Sequence, residues 1–164
     1  MLAHARAFLV GRKLRTTDYI DADLRNPGLI LRTAAQTLDF SKPVGLLLIA
    51  ILHAIGDQDD PHRIVASLMD ALPSGSYLAI THWGTDQANP EAVTKVGDLA
   101  REMSHQQYTA RSQDEVARFF YGLDLVEPGL VRIQDWRPRP DNKAAGDIVG
   151  WAGVARKPLR KETE

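Results

Sequence analysis

The most distinctive pattern in the chain is a nearly unbroken apolar run that starts after Pro43: Val44, Leu46, Leu47, Leu48, Ile49, Ile51 and Leu52. A strand with one wet face alternates apolar and polar residues, whereas a strand covered on both faces has no polar side. A helix is the weaker reading, because the run is short, follows a proline and contains Gly45. The run therefore predicts a central parallel strand over 43–52, with helices packed on either side.

Other elements fall around it. Leu2, Ala5, Leu9 and Val10 share a helical face over 2–10 with no capping residue ahead of them, so the chain opens as if inside an element and a truncated start is expected. Thr17, Tyr19 and Ile20 favour a short strand over 16–22. Pro27 then disfavours helical backbone at Asn26, and Leu29, Ile30, Thr33 and Leu38 predict a helix. The acids from Asp57 to Asp60, with Pro61, start another helix whose face is Ile64, Val65, Leu68, Met69 and Leu72. Pro73-Ser74-Gly75 stops it before a strand over 76–83. Asn89-Pro90 opens a helix carrying Val93, Val96, Ala100 and Met103. Ser112 to Glu115 reads as a capping box for a helix with Val116, Phe119, Phe120 and Leu123, closed by Gly122. Strands over 125–133 and 148–155 finish the chain, joined by a polar loop.

Alternating strands and helices predict an α/β fold with a mostly parallel sheet and a C-terminal antiparallel strand. The expected organisation is one domain over 1–157 and a charged tail over 158–164. Such sheets place ligands at the carboxyl ends of their parallel strands. Polar residues gather in those places, at 21–25, 53–57 and 81–86.

Composition narrows the chemistry. With 164 residues, 44% hydrophobic and 25% charged, this is ordinary globular material with a formal net charge of −1. No overall basic field draws it to nucleic acid or an anionic membrane, and the basic clusters at 12–15 and 156–161 read as solvated surface and tail. The absence of cysteine excludes disulfides, thiolate metal sites and cysteine nucleophiles, and suits a cytoplasmic location. No secretory leader pattern is legible at the N-terminus, and the apolar run is far too short to span a bilayer. Hydrolase elbow, zinc-peptidase and P-loop motifs are missing, and the histidines have no metal-ligand spacing, so no metal is expected.

The ordered set Leu52-His53, a short acidic turn, and Leu72-Pro73-Ser74-Gly75 before the next strand resembles class I methyltransferases, which are Rossmann-like. The chain is more closely similar to an actinobacterial S-adenosyl methyltransferase family, formerly a domain of unknown function. That resemblance rests on Leu2 to Ala7, Tyr19 to Arg25, Leu38 to Val44, Gly75 to Leu78, Gly122-Leu123, Val126 to Val131 and Trp136 to Pro138. Family members begin earlier, with a strand, a glycine-rich turn and a second strand ending in an acid. No two glycines here are separated by a single residue, so that turn is absent. In the family fold those two strands lie between the strand near Ala22 and the run at 43–52. Without them both strands are expected to show open edges.

The resemblance implies S-adenosyl-L-methionine as cofactor, bound through Asp23, Leu24, Leu52 and His53, with Asp23 accepting from the adenine amino group and Leu24 against the ring. A turn or capping role for Asp23 is the alternative. His53 is the candidate catalytic base, or a histidine satisfied by backbone. His82 and Trp83 are candidates for the acceptor side, Trp83 otherwise being a core or rim residue, and Tyr108 and Arg111 are candidates for the same wall. The expected activity is methyl transfer to a small-molecule acceptor, with cofactor bound weakly or not at all by this chain alone. A non-catalytic module that dimerises through an open sheet edge is one alternative, and another Rossmann-type nucleotide-cofactor enzyme is a second. The methyltransferase reading leans on the 43–52 strand lying mid-sheet.

Overall fold

The computed structural model describes residues 17–86, 94, 98, 108–138 and 149–159. Helix α1 (Pro27–Ala34) starts where Pro27 fixes the first helical residue and the Asn26 side chain accepts from the Leu29 N–H. Strand β1 (Gly45–Ile49) follows, then two short 3₁₀ turns, Leu52–Ala54 and Asp57–Asp59. Helix α2 (Pro61–Asp70) is capped by the Asp60 carboxylate, which accepts from Arg63 N–H. At its other end Lys157 donates to the carbonyls of Met69, Asp70 and Leu72, neutralising orphan acceptors where a cation is favoured. Strand β2 (Tyr77–Trp83) is next. Helix α3 (Gln113–Ala117) begins in the capping box predicted at Ser112 and Glu115 and tightens into a 3₁₀ turn at Arg118–Phe120. Short strands β3 (Asp124–Leu125) and β4 (Val131–Arg132) precede β5 (Gly150–Arg156).

The five strands form one sheet in the order β1-β2-β5-β3, with β4 also on β5. Strands β1 and β2 pair in parallel, Leu48 opposite Ile80. Strand β5 is antiparallel to β2, β3 and β4, so it alone runs against the others. This is the predicted α/β sheet with its antiparallel C-terminal strand. Leu78 and Ile80 from β2, with Trp151 and Ala155 from β5, face Val65, Met69, Val116, Phe119 and Phe120 in the main core. Helix α1 closes a smaller cluster through Ile30 and Leu31 against Ile55, Ile64 and Leu68.

Four expectations need correction. The apolar run does form a strand parallel to β2, but at the margin of the described sheet rather than its centre. Successive side chains of a strand point to opposite faces, and only one face of β1 meets α2. Leu48 is 5% exposed, whereas Leu47 and Ile49 are 66% and 50% exposed. Helices covering both faces are therefore not present among the described residues. Residues 17–22 are not a strand, because no described strand lies beside them to share a ladder. The strand expected over 125–133 is split in two, because Pro128 has no N–H for a ladder and Gly129, at φ 89°, completes a turn onto Val126. The helix expected over 2–10 and the polar loop around Pro140 lie outside the described residues. Of the helix after Asn89, Thr94 and Asp98 are described and are helical.

The two faces of β1 make a direct stability test. Leu48→Ala should cost about 2–4 kcal/mol in urea denaturation, and Leu47→Thr no more than about 0.5 kcal/mol. Equal costs would mean that the Leu47 face is covered after all.

Candidate functional site

The carboxyl ends of β1 and β2 open onto two depressions, one on each side of the segment that leaves β1. That segment starts at Ala50, which holds a left-handed φ of 51° and donates its N–H to Thr81 Oγ1 at 2.9 Å. A non-glycine residue in this region costs about 1–2 kcal/mol, and such strain is often kept where a strand must open toward a ligand. From Ala50 onward the backbone alternates between the depressions: Ala50 and His53 line one, Ile51 and Ala54 the other.

The first depression, about 440 Å³, lies between residues 22–25 and 51–58. Its apolar side is Leu24, Ile51 and Ala54. Its polar side is Asp23, whose carboxylate accepts from Arg25 N–H at 2.8 Å and from the Arg25 guanidinium at 3.2 and 3.3 Å. These bonds, the backbone one first, hold the Asp23 carboxyl below the usual range. Arg25 is drawn in turn to Asp59 at 2.8 Å, so the acid is fixed in position and ionised at neutral pH.

The second depression, about 410 Å³, is lined by Ala50, His53, Thr81, His82, Trp83, Tyr108, Ile133 and Val149. The rings of His53 and Tyr108 lie 5.2 Å apart, and Thr109 N–H is bonded to His53 O at 2.7 Å. Burial, then the nearby Arg111 charge, pushes the His53 pKa down, and its Nδ1 is buried with no partner among the described residues.

Beneath both depressions lies Arg111, only 2% exposed. One terminal nitrogen donates to Leu52 O at 3.2 Å and approaches His82 Nε2 at 2.8 Å; the other donates to Ile55 O at 2.9 Å and Asp57 Oδ1 at 2.7 Å. The arginine thus grips the loop that carries His53 and fastens it to β2. Its backbone continues the job, since Arg111 N–H bonds Trp83 O and Thr85 N–H bonds Arg111 O. A guanidinium can only donate, so His82 Nε2 must accept, and the Nδ1–H must donate to Trp83 O at 2.8 Å. His82 is therefore a neutral imidazole with both nitrogens engaged. Burial is the main reason its pKa falls to about 4.

The expected residues thus separate by role. Asp23 and Leu24 share the first depression, and His53, Trp83 and Tyr108 share the second. His82 touches that second wall but is 1% exposed and committed to Arg111 and Trp83. Leu52 is fully buried in the core, and Arg111 lies under the pocket floor instead of facing into it. Sequence reasoning missed Arg25, Ala50 and Thr81. The Arg25–Asp59 pair spans 34 positions, and alanine gives no sign of left-handed backbone, so neither had a local signal. Among the described residues no cluster of histidines and acids could hold a metal ion, and no helix is long and apolar enough to cross a membrane.

A fixed carboxylate beside a small apolar wall lies at the carboxyl end of a parallel strand, where open α/β sheets place their ligands. A family model described as S-adenosyl methyltransferase, Methyltransf_19, matches residues 1–158. The chain belongs to this S-adenosyl methyltransferase family. A DUF574 family protein from Streptomyces avermitilis is 39% identical with a TM-score of 0.78, over 85% of this chain and 55% of that one. A Thermobifida fusca protein described as a candidate methyltransferase is 36% identical with a TM-score of 0.82, over 96% and 59%. An O-methyltransferase family protein from Burkholderia thailandensis shares the fold, at 12% identity and a TM-score of 0.58 over 97% and 41%. A comparison with curated proteins finds no match. The chain therefore spans 55% and 59% of the length of its two most similar structures named here. The marginal place of β1, which taken alone would count against a methyltransferase, is outweighed by a family match along almost the whole chain.

The state of His82 sets a pH dependence. The folded protein keeps it neutral down to about 4, while an unfolded histidine takes up a proton near 6.5. Its stabilisation is complete above about pH 6.5 and is lost as pH falls toward 4, a total of about 3 kcal/mol. His53 and His62, also pushed down, act in the same direction. In His82→Gln the loss of unfolding free energy between pH 7 and 5 should shrink by about 2 kcal/mol. An unchanged pH slope in urea denaturation would contradict this.

Proposed function

We propose that this chain forms the adenine edge and the acceptor side of an S-adenosyl-L-methionine-dependent methyltransferase acting on a small-molecule acceptor. The supporting observation is the pair of depressions separated by one loop at the carboxyl ends of β1 and β2. A donor held in one would reach over the rim formed by residues 50–54 to bring its methyl group against an acceptor in the other. The bound donor would supply an electrophilic methyl group on sulfonium.

The chain's own part is to bind, align and deprotonate. Asp23 and Leu24 hold the adenine. Trp83 and Tyr108 wall the acceptor, and His53 is its base, kept neutral by burial and by Arg111. His82 cannot share that task, because Arg111 and Trp83 occupy both of its nitrogens. Arg111 itself supports the wall from below. The reading takes residues 1–157 as one domain followed by a charged tail and places the protein in the cytoplasm, in keeping with its lack of cysteine.

Titration of the isotope-labelled chain with S-adenosylhomocysteine, followed by amide shifts, tests the reading. Shifts should concentrate at residues 22–25 and 51–58, with a weak dissociation constant of about 1 mM. Asp23→Ala should weaken binding about ten-fold. Shifts scattered elsewhere, or none at saturation, would overturn it.

One observation favours a second reading, an interaction module. Among the described residues β1 has one unpaired edge, and Leu47 and Ile49 expose an apolar face beside it, a template for pairing with another chain. Light scattering on the eluted protein separates the two. A stable dimer broken by Leu47→Lys with Ile49→Lys supports the module, and a monomer at high concentration removes it.

A further inference from the structure

The depression beside His53 differs from the adenine-edge depression in having no charged side chain among its described lining residues. Trp83 and Tyr108 give it aromatic walls, and Ile133 and Val149 give it aliphatic ones. The polar groups are few. Both nitrogens of His82 are taken, and Thr81 Oγ1 already accepts from Ala50 N–H, which leaves its own proton to donate. The His53 ring lines the depression, and its Nδ1 is itself buried with no partner among the described residues.

We infer that the acceptor is an uncharged, flat ring compound carrying a hydroxyl group, bound between Trp83 and Tyr108 with the hydroxyl against the His53 imidazole. This rests on the methyltransferase reading and names the substrate class of that same site. An ammonium group would meet the repulsion of Arg111 here. A carboxylate or phosphate would lose water against a guanidinium that lies under the floor and is already bonded to Leu52 O, Ile55 O, His82 and Asp57. Losing water is costly for an ion and mild for a neutral ring. A volume of about 410 Å³ falls at the small end of ligand sites and suits one ring or two fused rings. The His53 ring, which lines the depression, is the basic group that a hydroxyl would meet there. With the donor bound, the ring oxygen would gain the methyl group, sulfur would keep the electron pair of the broken carbon–sulfur bond, and the hydroxyl proton would pass to His53. The product would be a neutral methyl ether, which can no longer donate to the imidazole and so leaves more readily.

Binding to the full chain tests this without turnover. The probes are 2-naphthol, 2-naphthoate and 2-methoxynaphthalene at pH 7.5, followed by tryptophan fluorescence and by the His53 ring signals. Naphthol should bind at least about ten-fold tighter than naphthoate and a few-fold tighter than the methyl ether. It should shift the His53 signals, and both His53→Ala and His53→Gln should weaken it by about five- to ten-fold. Naphthoate binding as tightly as naphthol, or naphthol affinity unchanged in folded His53 variants, would overturn the assignment. S-adenosylhomocysteine shifts measured on the same samples separate the two levels. If they persist at residues 22–25 while naphthol fails, the acceptor class is wrong; if they fail too, so does the methyltransferase reading.

Discussion

Arg111 carries a full charge into a place where it is only 2% exposed, and its hydrogen bonds tie three parts of the chain together. It holds the carbonyls at Leu52 and Ile55, the imidazole of His82 on β2, and the acid Asp57 that opens the turn before α2. The Asp57 side chain is 79% exposed, so that ion pair is weakened by water and adds little by itself. The carbonyl bonds matter more, because a buried acceptor left without a donor costs about 1–3 kcal/mol. The same guanidinium fixes the tautomer of His82 and adds to burial in lowering the proton affinity of His53. Arg111 therefore contributes to both position and protonation at the site.

Much of the fold was legible in local pattern. The capping box at Ser112 and Glu115, the Pro61 helix start and the parallel pairing of the apolar run all follow from short-range chemistry. What failed was longer in range. The run at 43–52 reads as buried on both faces because residue type records hydrophobicity and not which neighbours are present. In the structure β1 has α2 on one face and β2 on one edge, leaving Leu47 and Ile49 exposed. Residues 17–22 illustrate the same point: strand propensity there has no ladder to join. Strand formation depends on partners at a distance, whereas a capped helix carries its hydrogen bonds within itself.

The site was legible by location more than by role. Carboxyl ends of parallel strands pointed to residues 21–25, 53–57 and 81–86, and both depressions lie there. Roles depended on contacts spanning 29 to 59 positions, which no local spacing records. Arg111 looked like a wall residue and is a buried tie. His82 looked like a partner for the acceptor and is kept neutral mainly by burial, with both nitrogens engaged. His53 differs from it in being only partly buried where it lines the second depression, with an Nδ1 that has no partner among the described residues.

The central claim is that Arg111 holds the loop carrying His53 in register with β2. Amide hydrogen exchange in Arg111→Lys, compared with the natural chain, tests it most directly, because lysine keeps the charge but cannot span all four partners. The account predicts that Ala54, Ile55 and Thr109, whose N–H groups bond Ile51 O, Leu52 O and His53 O, lose at least about ten-fold of their protection. Val154 in β5 should keep its own. Unchanged exchange at those three amides in a folded Arg111→Lys protein would contradict the account.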